Sequence, residues 1–451
     1  MFHYISIGGK IVPKFNILYL HSHDTGRFIQ PYGFPVETPN LQRLAEEGVM
    51  FRNCHCVGPT CSPSRAGLLT GQCAHSSGML GLAHRGFGLN DYSQHIIHTL
   101  KKVGYRSILA GVQHVAKNKE VIGYDLVLPT KGDATVANAA REFLLSRPQE
   151  PFFMSVGFTD THRSFPKVEE DGSYESPPPL LPDHPAVRKD MAEFKAGVRR
   201  LDHHMGMVLS ALDEAGLREN TLVVCTTDHG MAFPGMKCNL TAWGTGVMLM
   251  MRGPGLPKGL VLDSLVSHMD VYPTICDLVG CEHPPWLQGY SLLPLLEGKA
   301  EEIREELFAE VTFHAAFEPQ RGVRTQRWSY IRRYLDDLSV VLPNIDDGHT
   351  KSYLLEQGLR DMRHPREALY DLVYDPMERC NLAERPEYAS VLVDMRNRLD
   401  RWMRETRDPL WDNNLVLPET GVLVTSPNQT SPRETAEWCH DAQVFLDMLV
   451  R

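Results

Sequence analysis

The residues best equipped for chemistry gather around a short run, 57–71, that reads V-G-P-T-C-S-P-S-R-A-G-L-L-T-G. Cys61 stands where a Gly/Pro-containing loop gives way to an apolar, helix-compatible segment with Ala66, Leu68 and Leu69. Pro63 has the fixed φ and missing N–H that suit a first helical turn, and Gly71 is placed to stop the helix. Cys61 is therefore expected at a helix N-terminus. Unpaired backbone N–H groups and the positive end of the dipole collect there, and the Arg65 guanidinium adds charge one turn on. Such a corner favours a tetrahedral oxyanion, sulfate or phosphate, beside the Cys61 side chain. A cysteine phosphatase would need a longer cysteine-to-arginine loop. Two acid/imidazole pairs lie far from this run and from each other, His23-Asp24 and Asp228-His229. Brought together, they form a divalent metal site able to neutralise an oxyanion and to help ionise an attacking hydroxyl.

The elements that must deliver these groups are legible as strands followed at once by His or Asp. Residues 16–20 (N-I-L-Y-L) are a short apolar run ending in H-S-H-D-T-G-R, and residues 222–226 end in T-D-H-G. Residues 106–110 lead into G-V-Q-H, and P-F-F-M-S-V-G-F leads into T-D-T-H-R. Helices are expected after Thr38-Pro39-Asn40, closed by Gly48, and over 92–103, 136–145 and 194–215, with a surface loop over 167–184. The simplest explanation is an α/β fold. It has a doubly wound, mostly parallel central sheet flanked by helices, with its site along one edge. From residues 306–311 the pattern alternates in strand fashion without long helices until an amphipathic helix over 388–405. This predicts a catalytic α/β domain over 1–304 and a smaller C-terminal α+β domain, built on an antiparallel sheet with a packed helix, over 305–451.

With 451 residues, 42% hydrophobic and 23% charged, the chain has the composition of a globular protein with a large core. A net charge of −10 and the lack of any long Lys/Arg run argue against a nucleic-acid partner. No stretch approaches the ~20 apolar residues of a membrane span. The N-terminus has no charged n-region, sustained apolar core or small-residue cleavage site, which favours the cytoplasm. Ten cysteines are scattered along the chain; Cys54, Cys56, Cys61 and Cys73 cluster without paired zinc-ribbon spacing. All but Cys61 are expected to be structural thiols.

The string C-S-P-S-R followed by A-G-L-L-T-G resembles the signature of the type I sulfatases of the alkaline phosphatase superfamily, whose cysteine is oxidised after synthesis to formylglycine. The resemblance implies a formylglycine-generating enzyme as maturation partner. A hydrated aldehyde at position 61 would attack, and elimination of sulfate would then regenerate the aldehyde. The segment T-T-D-H-G is similar to the family's late metal motif, and His23-Asp24 stands where the family normally has Asp-Asp. The resemblance implies calcium, whereas imidazole donors tilt a site towards manganese or zinc.

His114, in G-V-Q-H, resembles the family's G-K-x-H histidine, which handles the formylglycine hydroxyl, but Val112 replaces the lysine. Asp160 and His162, in F-T-D-T-H-R, resemble the F-x-D-P-H segment, implying His162 as general acid and Asp160 as orienter or substrate contact. Lys237 takes the place of a family cation that binds sulfate. The segments D-H-G-M-A-F-P-G-M-K-C-N-L-T-A-W-G-T-G and D-P-M-E-R-C-N-L-A look most like the N-sulfoglucosamine sulfohydrolase branch. The implied substrate is a sulfate ester or sulfamate on a sugar of the glycosaminoglycan kind, such as heparan sulfate, taken at an exposed chain end. A homodimer stays open. Two alternatives also remain: a phosphonate monoester hydrolase or phosphodiesterase, and a catalytically impaired member that only binds sulfated glycans.

Overall fold

The computed structural model describes residues 3–7, 10–169 and 172–450, so residues 170 and 171 of the expected surface loop and part of the N-terminal stretch lie outside it. In chain order the elements that build the site region are β1 (Asn16–Ser22), α1 (Pro39–Glu46), β2 (Val49–Phe51), α2 (Cys61–Thr70), β3 (Arg106–Gly111) and β4 (Leu126–Val127). They continue with α3 (Asp133–Leu145), β5 (Phe152–Gly157), α4 (Pro185–Ala215), β6 (Thr221–Thr227), β7 (Leu249–Arg252) and β8 (Leu260–Leu262). The 8-stranded sheet runs β8-β2-β7-β6-β1-β5-β3-β4. β1 lies centrally, parallel to both β5 and β6, while β7 is antiparallel to β2 and β6.

A strand covered on both faces reads as a near-continuous apolar run, and β1, buried throughout, is apolar over 17–20 with polar residues only at its ends. Its alternation feeds two cores. Ile17 and Tyr19 enter one cluster with Phe153, Leu222 and Val224, and Leu18 and Leu20 enter the other with Met154, Val156 and Val223. The second cluster is closed by α4, whose Val187, Met191, Phe194, Val198, Leu201 and Met205 are buried at helical spacing.

α4 starts at Pro185, earlier than the 194 expected from apolar spacing. His184 caps it by accepting from the Ala186 N–H, and the proline occupies the first turn. The helix expected over 92–103 is a 3₁₀ turn at Tyr92–Gln94 followed by a helix at Ile96–Lys102, because the His95 side chain starts the second element by capping Ile97. β2, β7 and β8 were not expected. They hold three, four and three residues, too few to display a period.

The second sheet is four-stranded and antiparallel, in the order β9 (Glu306–Phe313), β10 (Phe317–Thr325), β11 (Trp328–Arg333), β12 (Glu367–Asp371). Helix α5 (Ala389–Glu405) buries Leu392, Met395, Leu399, Trp402 and Met403 against it, with the Trp402 ring stacked on Phe308 at 4.9 Å. Phe313 and Trp402 belong to the same hydrophobic cluster as Phe51 and Leu68, so the two sheets share a core. Among the described residues, no helix is long and apolar enough to cross a membrane.

Candidate active site

α2 begins at Cys61 and stops at Gly71, which takes a left-handed φ of 69° that a side chain would disfavour. Every residue of α2 is buried, and Thr60 makes no side-chain cap. The free first-turn N–H groups therefore sit inside the protein, beside the carboxyl ends of β1 and β6. Those ends turn sharply: Asp24 has a φ of 49°, and His114 beyond β3 has a φ of 54°. Left-handed backbone at a non-glycine residue is strain that the surrounding packing must hold.

The sheet brings the two acid/imidazole pairs to Cys61. One ligand atom from each of His23, Asp24, Cys61 and Asp228 lies within 4.8 Å of the others, and all four residues are buried. Asp228 Oδ1 accepts from the Asp24 and His229 N–H groups at 2.8 and 2.9 Å. His23 Nδ1 approaches Asp228 Oδ2 to 2.8 Å but lies off the hydrogen-bonding direction, and buried Asp24 Oδ1 accepts no hydrogen bond. Lone pairs converging without a shared proton are the arrangement that a cation completes, so these residues fit a divalent ion. His229 donates from Nδ1 to the Gly230 carbonyl at 2.9 Å. Its Nε2 lone pair is then directed at Cys61 Sγ, 3.4 Å away, and Asp24 Oδ1, 3.2 Å away.

Arg65 is engaged by groups of the protein itself. Its guanidinium reaches His21 Nδ1 at 2.6 Å, the Ser22 carbonyl at 2.8 Å and Asp228 Oδ2 at 3.0 Å, clamping α2 to the end of β1. Lys237, buried, lies 3.4 Å from Asp24 Oδ2 and 3.0 Å from Asp346 Oδ2. His162 is the most open imidazole of the group, its side chain 39% exposed and its Nε2 4.0 Å from Asp24 Oδ2. Cys61, His114, His162, Lys237 and Asp346 line one cavity of about 210 Å³.

Asp160 corrects the expectation of a substrate contact. Its carboxylate is buried and accepts from Arg200 Nε at 2.5 Å and His204 Nδ1 at 2.8 Å, tying the end of β5 to α4 instead.

Electrostatics follow from burial and these pairings. Burial, then the Arg65 charge, pushes His23 down to about 4, so it is neutral and able to donate a lone pair at neutral pH. Burial, with His23, His84 and Arg65 nearby, holds His114 well below the ordinary imidazole value. Burial opposes the Asp228 carboxylate, but His229, Arg65 and His23 outweigh it and keep it ionised. Burial likewise opposes the Lys237 ammonium, and Asp24 and Asp346 overcome it. The Cys61 thiol is pushed up by burial, so an unmodified Cys61 is a poor nucleophile.

Several cavity residues were missed. His84 stacks on His114, with ring centres 5.2 Å apart, and its Nδ1 lies 2.9 Å from His114 Nε2. His314 comes from the turn between β9 and β10, and Asp346 from the long connection between β11 and β12. The adjacent acids of D-D-G at 346–348 were the one local signal for Asp346.

A sulfatase family model matches residues 16–281, and an N-sulphoglucosamine sulphohydrolase C-terminal model matches residues 244–349. The chain belongs to the sulfatase family and is a sulfuric ester hydrolase. Among its relatives, the N-sulphoglucosamine sulphohydrolase of Homo sapiens is 31% identical over an alignment covering 86% of this chain and 88% of that protein. An ulvan-active sulfatase of Formosa agariphila is 29% identical, covering 92% and 78%. The fold matches a solved structure in complex with D-glucosamine-2-N,6-O-disulfate with a TM-score of 0.73, at 20% identity over 89% of this chain and 100% of that one. It also matches a 2-O GAG sulfatase with a TM-score of 0.70, at 23% identity over 90% and 94%.

Proposed function

We propose that this protein removes sulfate from a sulfated sugar, as an O-sulfate ester or an N-sulfo group, with Cys61 matured to formylglycine by a generating enzyme. A divalent ion would be held by His23, Asp24, Asp228 and His229. The observation that supports this is the meeting of a helix-start cysteine, two aspartates and a buried lysine at one cavity. The relatives named above act, by their names, on sulfated glucosamine and on ulvan, which supports a glycan substrate. A cavity of about 210 Å³, bounded on one side by Pro432 and Arg433, suits a single sugar at a chain end.

When bound, the ion would withdraw charge from a sulfate oxygen and favour the ionised hydroxyl at position 61. The chain's own groups supply the rest. Lys237 holds a positive charge against the anion in a site from which water is largely excluded. Arg65 keeps Asp228 ionised and α2 in place. His162, the open imidazole, donates the proton that the leaving oxygen or nitrogen requires. His114, neutral and braced by His84, takes a proton from residue 61 as sulfate is expelled. With Val112 where the resemblance expects lysine, Lys237 carries more of the anion's charge. The imidazole donors favour manganese or zinc over the calcium implied by resemblance.

Two measurements on one sample test this reading. The intact mass of the Cys61 peptide, from protein made in its native host, should show the aldehyde. Sulfate release from N-sulfoglucosamine and O-sulfated monosaccharides should exceed phosphate release from matched esters. Faster turnover of the phosphate esters would move the site to phosphoryl transfer. Glycan affinity without turnover, despite a confirmed aldehyde, would make the chain a binding protein.

A further inference from the structure

Cys73, His75 and Glu310 form a second buried group of metal-ligand type, and one ligand atom of each lies within 4.8 Å of the others. Cys73 Sγ is 3.4 Å from His75 Nε2 and 3.7 Å from its Nδ1, and His75 Nδ1 is hydrogen-bonded to Glu310 Oε1 at 2.9 Å. A tetrahedral zinc ion with bonds of about 2.0–2.3 Å spaces its donors about 3.3–3.6 Å apart, so the His75–Glu310 pair need open by only a few tenths of an ångström to take the ion in place of the shared proton. Cys73 precedes the short helix Ala74–Ser77, which carries His75, whereas Glu310 comes from β9, so tertiary structure brings the third ligand to the other two.

Its surroundings are built to hold donors in place. Glu310 Oε2 accepts no hydrogen bond, and its nearest cation is Arg321 Nη2 at 3.4 Å. Arg321, fully buried, also grips Asp408 with contacts of 2.5 and 3.0 Å, and Asp408 Oδ2 stands 3.8 Å from His75 Nδ1. The His75 ring is wedged edge-on against Trp402 at 5.2 Å. Such outer contacts orient ligands and raise metal affinity. His75 also lines a cavity of about 460 Å³, so a water ligand and a route of access are at hand.

We propose that Cys73, His75 and Glu310 bind a zinc ion that pins the turn after α2 to the C-terminal sheet. This revises the expectation that Cys73 is a plain structural thiol. A thiolate, an imidazole and a carboxylate select zinc over calcium. The inference does not rest on the proposed sugar sulfatase activity.

Cobalt(II) is the probe, read by thiolate-to-cobalt charge-transfer absorption. The Cys61→Ser protein removes the thiol of the first cluster. It should still take up about one equivalent of cobalt with that absorption, and about one equivalent of zinc should bleach it. Adding Cys73→Ser or His75→Gln to Cys61→Ser should abolish the band while far-ultraviolet circular dichroism stays unchanged. No band in Cys61→Ser overturns the proposal without reference to how the double variants fold. A band that survives both second substitutions overturns it as well.

Discussion

Both buried clusters draw on cysteine, histidine and carboxylate, yet they sit in different fields. At Cys61 the buried carboxylates of Asp24 and Asp228 meet two cations, Arg65 and Lys237, beside a free helix start, and Cys61 and Lys237 line a cavity. At Cys73 the carboxylates of Glu310 and Asp408 share one guanidinium, Arg321, with the His75 ring against Glu310. Cations beside a cavity that the half-open His162 also lines prepare a site for an anion that comes and goes. A thiol, an imidazole and a carboxylate converging between α2 and the C-terminal sheet prepare one for an ion that stays. Residue type alone does not separate the two; the neighbouring groups do.

Removing one member of each cluster should break the comparison in opposite ways. Asp228→Asn withdraws the shared partner of Arg65, His23 and the Asp24 and His229 N–H groups. Sulfate release should fall by about 10²–10³-fold or more, the scale of losing one preorganised charge contact, as read by kcat on purified protein. The next largest effect belongs to Arg321→Met, which keeps volume but strands Glu310 and Asp408. Stability should fall by about 3–5 kcal/mol in denaturant unfolding, with kcat/KM little changed at temperatures where the variant is folded. An activity loss as large as that of Asp228→Asn would erase the distinction between the clusters.

Glu318 supplies the control, a half-buried carboxylate whose direct partner is the Asn344 amide rather than a cation. Burial raises it to about 7, the opposite of what Arg65 and its neighbours do for Asp228. Because the folded state holds this proton longer than the unfolded chain, stability is greatest below the ordinary glutamate range and falls as pH rises through 7. Glu318→Gln should abolish that fall. Its Tm should match the parent near about pH 4 and exceed it by a few degrees near about pH 8, read by thermal melts across pH.

How much was legible follows from particular residues. The ends of β1 and β6 announced themselves because an apolar run gives way at once to His23-Asp24 and Asp228-His229. The start of α2 was equally plain from Pro63 and Gly71. β2 and β7 were not, because three or four residues beside Gly48 and Gly253 carry no period. Asp160 was read as an orienter or a substrate contact because its segment resembles one of that kind. Arg200 and His204, a whole helix away in sequence, turn it inward.

The sequence by itself determined the strand-then-ligand pattern, the placement of Cys61 at a helix start and the class of chemistry, since these are local consequences of backbone propensity and residue type. Tertiary structure decided which partners each charge acquires: Arg65 clamped to Asp228, Lys237 held between Asp24 and Asp346, His84 braced against His114, and Cys73 carried to Glu310. The reason is that Coulomb and hydrogen-bond energies depend on separation in space and on burial, and neither is a function of distance along the chain.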